Sequence, residues 1–285
     1  MVKEHISKIP RRKEDTHKGD FGHVFVLAGS VGMTGAAYLA SKGALLSGSG
    51  LVTCGIPESL NGIMEVKLTE VMTLPLPETK SRSLGLAALG RVLQFSEKAD
   101  CLAVGPGISR DKDTSRLVRE VLKKVKKPVV LDADGINSLA GSEDILKKRK
   151  NPTVITPHPG EMSRLLGQKT SILQRNREKV ALGFAKKYRV ILVLKGYRSV
   201  VAAPNGAVYV NETGNSGMST AGVGDVLTGM IASFLGQGIE AYGAAVIGVY
   251  LHGKAGDLAA RDKGQFSMLA GDVLDKLPEA IRDEV

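Results

Sequence analysis

The chain has 285 residues, 43% of them hydrophobic and 24% charged, with a formal net charge of +10 at pH 7. This composition excludes disorder as the default and allows one large core. No apolar run approaches the roughly 18 to 20 residues of a helical membrane span. The basic residues are scattered and only six Phe, six Tyr and no Trp are present for base stacking, so the charge fits a small anionic substrate and no nucleic-acid partner is expected.

In chain order, the opening MVKEHISKIPRRKEDTHKGD is charged and lacks an apolar signal core. It predicts a cytoplasmic protein with no membrane association, in which residues 1–20 are the least ordered. Apolar runs then alternate with helical patterns: HVFVLAG and GAAYLASKGALLSG, LVTCGIP, CLAVGPG and DTSRLVREVLKKV, PVVLDADG, and TVITPHPG and EMSRLL. Continuous apolar strands followed by amphipathic helices predict an α/β fold, a central, mostly parallel sheet with helices on both faces. Cys54 and Cys101 stand singly in these strands, without metal-ligand spacing, and read as buried thiols. LKKVKKP reads as the solvated face of a helix that leads into a strand.

Beyond residue 189 the short runs VILVLKG, SVVAAPNG and AVYVNE, separated by turn signals, predict a small antiparallel edge. Residues 225–235 place Val226, Leu227, Met230, Ile231, Phe234 and Leu235 on one helical face, and AYGAAVIGVYLHGKAGDLAA reads as a buried helix. No repeat or linker interrupts the pattern, so residues 1–285 are expected to form one domain.

Open parallel sheets bind ligands at the carboxyl ends of their strands. The segments there are AGSVGMTGAA, VGPGIS, LDADGIN, ITPHPGE, VLKGYRS and NSGMSTAGVGD. Gly29, Gly32 and Gly35 have the wrong spacing for a dinucleotide fingerprint, and GVYLHGKA only nearly matches a P-loop, with Ala255 in place of the hydroxyl. The glycines ahead of Asp225 allow backbone amides to approach an anion, and the helix that follows adds a positive dipole end. Asp225 is then either a first-turn acid facing the dipole or a group that handles a proton or cation.

Other residues carry paired readings. His158, between Pro157 and Pro159, either contacts ligand or packs the loop. Glu161 caps a helix or acts on substrate. Asp132 and Asp134 hold magnesium through water, contact a hydroxyl, or organise the turn with Asn137. Lys195 reaches a phosphate or adenine, or is solvated.

Taken together, HKGDFGHVFVLAGS, MTGAAYLA, GPGIS, VLDADGIN, TPHPGEMSRLL, VLKG and MSTAGVGDVLTGM resemble the ribokinase-like superfamily and, within it, the nucleotide-dependent NAD(P)H-hydrate dehydratases. The resemblance runs from about Lys18 to Pro278. It implies repair of the S-epimers of NADH hydrate and NADPH hydrate: ADP or ATP phosphorylates the ring hydroxyl, and loss of phosphate restores the dihydropyridine. The net reaction is that of a lyase.

Asp225 matches the family's catalytic base, and Gly222, Val223 and Gly224 match its anion hole. Hydrate-binding positions match Ala36, Gly107, His158 and Asp225. Nucleotide-binding positions match Lys195, Gly196, Tyr197, Arg198 and Ser199. They also match Asn215, Ser216, Gly217, Met218, Ser219, Thr220, Ala221, Gly222, Val223 and Gly224.

Mg2+ is implied as cofactor, without identifiable protein ligands. Val223 stands where the family often has a small or hydroxyl residue, and Ser199 where threonine is frequent. No epimerase segment precedes the matching region, so a separate epimerase is the expected functional partner, and a homo-oligomer, plausibly a tetramer, is implied. The alternatives are a hydroxymethyl or hydroxyethyl kinase of the same superfamily and a non-catalytic nucleotide-binding regulator.

Overall fold

Strands that are apolar along their whole length must be covered on both faces, and the computed structural model, which describes residues 2–285, shows how. The strands are β1 (His23–Leu27), β2 (Leu51–Pro57), β3 (Met72–Leu76), β4 (Cys101–Val104), β5 (Val129–Leu131), β6 (Thr153–Ile155), β7 (Ile191–Leu194), β8 (Val200–Ala202) and β9 (Val208–Val210). They form one nine-stranded sheet in the order β3-β2-β1-β4-β5-β6-β7-β8-β9. Neighbours are parallel from β3 to β7, whereas β8 and β9 add antiparallel.

Helices α1 (Val2–Ile6), α2 (Thr34–Leu46) and α3 (Asn61–Lys67) come first. They are followed by α4 (Leu89–Ser96), α5 (Lys112–Lys124), α6 (Ala133–Asn137), α7 (Asp144–Lys148), α8 (Pro159–Leu166), α9 (Thr170–Arg175) and α10 (Arg177–Tyr188), and α11 (Val223–Gly236), α12 (Ala241–Lys263) and α13 (Ala270–Arg282) close the chain. The period-two alternation of each strand divides the core. Val24 and Val26 of β1 join the apolar cluster under α2, α11, α12 and α13, whereas Phe25 and Leu27 join the one under α4, α5 and α10. Cys54 and Cys101 are buried free thiols, and burial pushes the Cys54 thiol up to about 12.

The tightest helix contact is between α2 and α11, where glycine permits backbone approach. A Cβ on Gly43 would lie 2.7 Å from the Val226 carbonyl oxygen, and one on Gly229 would strike the Ala40 carbonyl oxygen. This contact clamps α11 against the sheet and aims its amino end at the strand termini.

Three features differ from or sharpen the sequence reading. Strand β3 is not among the strands expected from the sequence; it contains Pro75, whose missing N–H is tolerated at a sheet edge. Within residues 1–20, Ile6 of α1 joins the core beside α12, and the Arg12 guanidinium lies 4.4 Å from the Phe21 ring centre. GVYLHGKA lies inside α12 and forms no phosphate loop. Among the described residues, no helix is long and apolar enough to cross a membrane.

Candidate active site

The sheet winds outward in both directions from β1 and β4, so the crevice beyond their carboxyl ends is a topological switch point. The loop after β4 brings Gly107 there. The ends of β5, β6 and β7 place Asp132, His158 and Lys195 along the same edge. Beside them a cavity of about 930 Å³ is lined by these three side chains together with Glu161, Asp225 and the Gly222–Gly224 backbone.

Gly222 starts α11 from a left-handed conformation, φ 91°, and a side chain there would strike Leu39 and meet Ala270. At the first two helical positions, Val223 and Gly224 have amides without intrahelical acceptors. His252 steadies this turn by donating from Nε2 to the Val223 carbonyl at 2.9 Å; its burial drives the imidazole down to about 4, so it acts as a neutral strut.

Asp225 follows on the cavity wall and makes no side-chain hydrogen bond among the described residues. Part of its surface is exposed, yet desolvation by the surrounding protein, reinforced by the Asp132 charge, pushes its carboxyl up to about 7 despite nearby Lys195. A carboxylate with that proton affinity is suited to take a proton near neutral pH.

Lys195 donates to Asp132 Oδ1 at 2.6 Å, with side-chain exposures of 16% and 1%. Burial opposes its charge, but the carboxylates of Asp132, Glu161 and Asp225 outweigh that cost and raise the ammonium above its usual range. It is therefore a fixed cation, and a Cβ on Gly224 would lie only 3.1 Å from its Nζ.

His158 caps α8: Nδ1 accepts from the Gly160 and Glu161 amides at 3.0 and 3.3 Å, and Glu161 Oε2 accepts from the His158 amide at 2.8 Å. With Nδ1 accepting, Nε2 carries the proton and faces Glu161 Oε1 at 3.3 Å. Desolvation and then the Lys195 charge lower the His158 pKa, whereas burial raises that of Glu161. The two form a reciprocal cap and also line the cavity.

The remaining expected positions fall in distinct places. Tyr197 stands 90% exposed at the rim, Arg198 pairs with Glu212 at 3.4 Å, and the Ser199 hydroxyl donates to the Gly196 carbonyl at 3.1 Å. Ser216, Met218, Ser219 and Thr220 line the cavity, as does Asn215, whose amide donates to Asp257 at 3.0 Å; Gly217 and Ala221 lie outside the lining. Ala36 and Gly107 touch, as a Cβ on Gly107 would lie 2.9 Å from Ala36 Cβ, but neither lines the cavity.

The aspartates separate. Asp134 accepts from Asn137 at 2.9 Å and organises its turn, while Asp132 anchors Lys195. The sequence reading missed Thr156 and Thr228, which both donate to Asp132. It also missed Arg177, which holds the Leu194 carbonyl at 2.8 Å, and Asp257, which accepts from the Gly214 amide at 2.9 Å. Thr156 and Thr228 lie inside the quoted motifs TPHPGEMSRLL and MSTAGVGDVLTGM and were visible as candidates; Arg177 and Asp257 carry no local signal.

A profile of the NAD(P)H-hydrate dehydratase family matches residues 24–279. A bifunctional NAD(P)H-hydrate repair enzyme Nnr of Moorella thermoacetica is 49% identical over 277 residues, which are 97% of this chain and 52% of that protein. The chain thus spans about half the length of that relative. The crystal structure of an ADP/ATP-dependent NAD(P)H-hydrate dehydratase from Bacillus subtilis, co-crystallised with ATP and Mg2+, superposes with a TM-score of 0.85 at 30% identity, covering 100% of this chain and 98% of that one. A ribokinase-like superfamily protein of Enterococcus faecalis gives a TM-score of 0.84 at 24% identity over 100% of this chain and 95% of that one, and so shares the ribokinase-like fold.

Proposed function

The chain belongs to the NAD(P)H-hydrate dehydratase family, and on that premise we propose that it uses ADP or ATP to dehydrate the S-epimers of NADH hydrate and NADPH hydrate. The observation that carries this reading is the pairing of Asp225, its carboxyl raised to about 7, with the open amides of Val223 and Gly224 and the Lys195 cation. A base, a backbone anion cradle and a fixed positive charge are what transfer of a phosphoryl group to a hydroxyl requires.

In this mechanism Asp225 takes the proton of the ring hydroxyl as its oxygen forms a bond to the terminal phosphorus. The bond from phosphorus to the bridging oxygen breaks, and ADP leaves from ATP, or AMP from ADP. Charge that builds on the phosphoryl oxygens meets the Val223 and Gly224 amides and Lys195. The carbon–oxygen bond of the ring phosphate then breaks, phosphate carries off the electron pair, and loss of the neighbouring ring proton restores the double bond. Phosphorylation matters because hydroxide is a poor leaving group.

Among the described residues, no three or more His, Cys, Asp or Glu side chains form a metal cage. The donor set instead fits a magnesium ion that arrives on nucleotide phosphates and keeps most of its water. Glu161 and Asp225 would hold that water, and the ion would neutralise phosphate charge. A linked epimerase would supply the S-epimer from its partner.

Incubation with NADH hydrate, magnesium and either nucleotide is expected to restore the absorbance of reduced nicotinamide. No recovery with either nucleotide overturns the proposal, and phosphorylated product without recovery points to a kinase.

A further inference from the structure

Three parts of the fold converge on the Asp132 carboxylate at the end of β5. Its Oδ1 accepts from Lys195 Nζ at 2.6 Å and from Thr156 Oγ1 at 2.8 Å, and its Oδ2 accepts from Thr228 Oγ1 at 2.7 Å. Thr156 follows β6, Lys195 follows β7, and Thr228 lies in the second turn of α11, the helix that presents Asp225. Both threonines and Asp132 are at least 99% buried.

Each threonine has one hydroxyl proton and a choice of acceptor. Thr228 also lies 3.1 Å from the Gly224 carbonyl, the partner a helical threonine ordinarily uses, and Thr156 lies 3.4 Å from the Leu131 carbonyl. In both cases the carboxylate is the nearer acceptor, and a hydrogen bond to a charge is the stronger. Both Asp132 oxygens are therefore engaged, and Lys195 meets the carboxylate at Oδ1 alone.

The ammonium of Lys195 sits on a flexible four-carbon stem, so its position must be fixed by its partner. It makes no other side-chain hydrogen bond among the described residues, which leaves donors for an anion at the amino end of α11. A freely turning Asp132 would draw the ammonium across both oxygens and away from Gly224.

We infer that Thr156 and Thr228 are positioning residues for phosphoryl transfer, locking Asp132 so that Lys195 is held beside the first turn of α11. This rests on the phosphoryl-transfer reading above. Sequence patterns do not announce it, because the residues lie 24 and 96 positions from Asp132.

The test compares Thr228→Val, Thr228→Ser and Thr156→Val in the full chain, with thermal unfolding to establish that each is folded. Thr228→Val is expected to lower kcat by about tenfold or more, with KM for the hydrate within about twofold of the parent. Thr228→Ser, which keeps the hydroxyl, is expected to recover most of the loss. ATP affinity is measured separately by calorimetry without hydrate, and Thr228→Val is expected to weaken it about fivefold.

If the parent chain fails to regenerate NADH, the repair reading falls while the calorimetry still decides the role of the threonines. Should Thr228→Val be unable to fold, Thr156→Val carries the same comparison from outside α11. Unchanged kcat and ATP affinity in the folded valine variants, or a serine variant as impaired as valine, overturns the inference.

Discussion

Asp225 is an acid whose ionisation the folded protein resists, and the direction of that effect makes it testable. Its carboxyl is raised from 3.8 to about 7, so folding favours its protonated form. The penalty on the folded state is absent below about pH 4, grows as pH rises, and is complete above about 7, where it amounts to at most about 4 kcal/mol. Asp225→Asn is therefore expected to stabilise the ligand-free protein at pH 8 and to leave it nearly unchanged at pH 4, as urea unfolding at the two pH values will report. In activity the order reverses. The parent's kcat/KM is expected to fall as pH drops below about 7, while Asp225→Asn loses about two to four orders of magnitude in kcat and still binds nucleotide. An asparagine variant with parental turnover would remove Asp225 from the role of base.

At the scale of elements, the site depends on how closely α11 lies against α2. The helix delivers Gly222, Val223, Gly224, Asp225 and Thr228 in its first turns, and its depth is set by the two glycine contacts, Gly43 on Val226 and Gly229 on Ala40. Gly229→Ala is expected to push the helices apart and cost about 1 to 3 kcal/mol in denaturant unfolding, with activity lowered in the variant that remains folded. A neutral result would mean that α2 yields without displacing α11. The α8 cap is a second such device: His158 and Glu161 each satisfy the other's part of the helix start while facing the cavity. That double duty explains why capping and ligand-facing readings could not be separated in the sequence.

For the whole molecule, a ligand that binds only the folded chain raises its stability by mass action, about 2.7 kcal/mol at a hundredfold excess over Kd. ATP or ADP with magnesium is expected to raise the melting temperature, and Lys195→Met to abolish most of that shift; a methionine variant that responds like the parent would place the phosphates elsewhere. The sequence by itself determined the α/β order, the antiparallel edge at β8 and β9, the burial of α12 and the glycine turn before Asp225, because periodicity and turn chemistry are written within a few neighbouring residues. The tertiary structure alone decided that Asp132 belongs to Lys195 rather than to the Asp134 turn, that Thr228 reaches it across 96 positions, and that Pro75 sits in an edge strand. It also decided the proton affinity of Asp225, since that depends on desolvation and on the charges of Asp132 and Lys195. Those partners come from different strand ends, which the sheet order brings together at one edge, and the α2–α11 contact sets how deeply Asp225 is buried beside them.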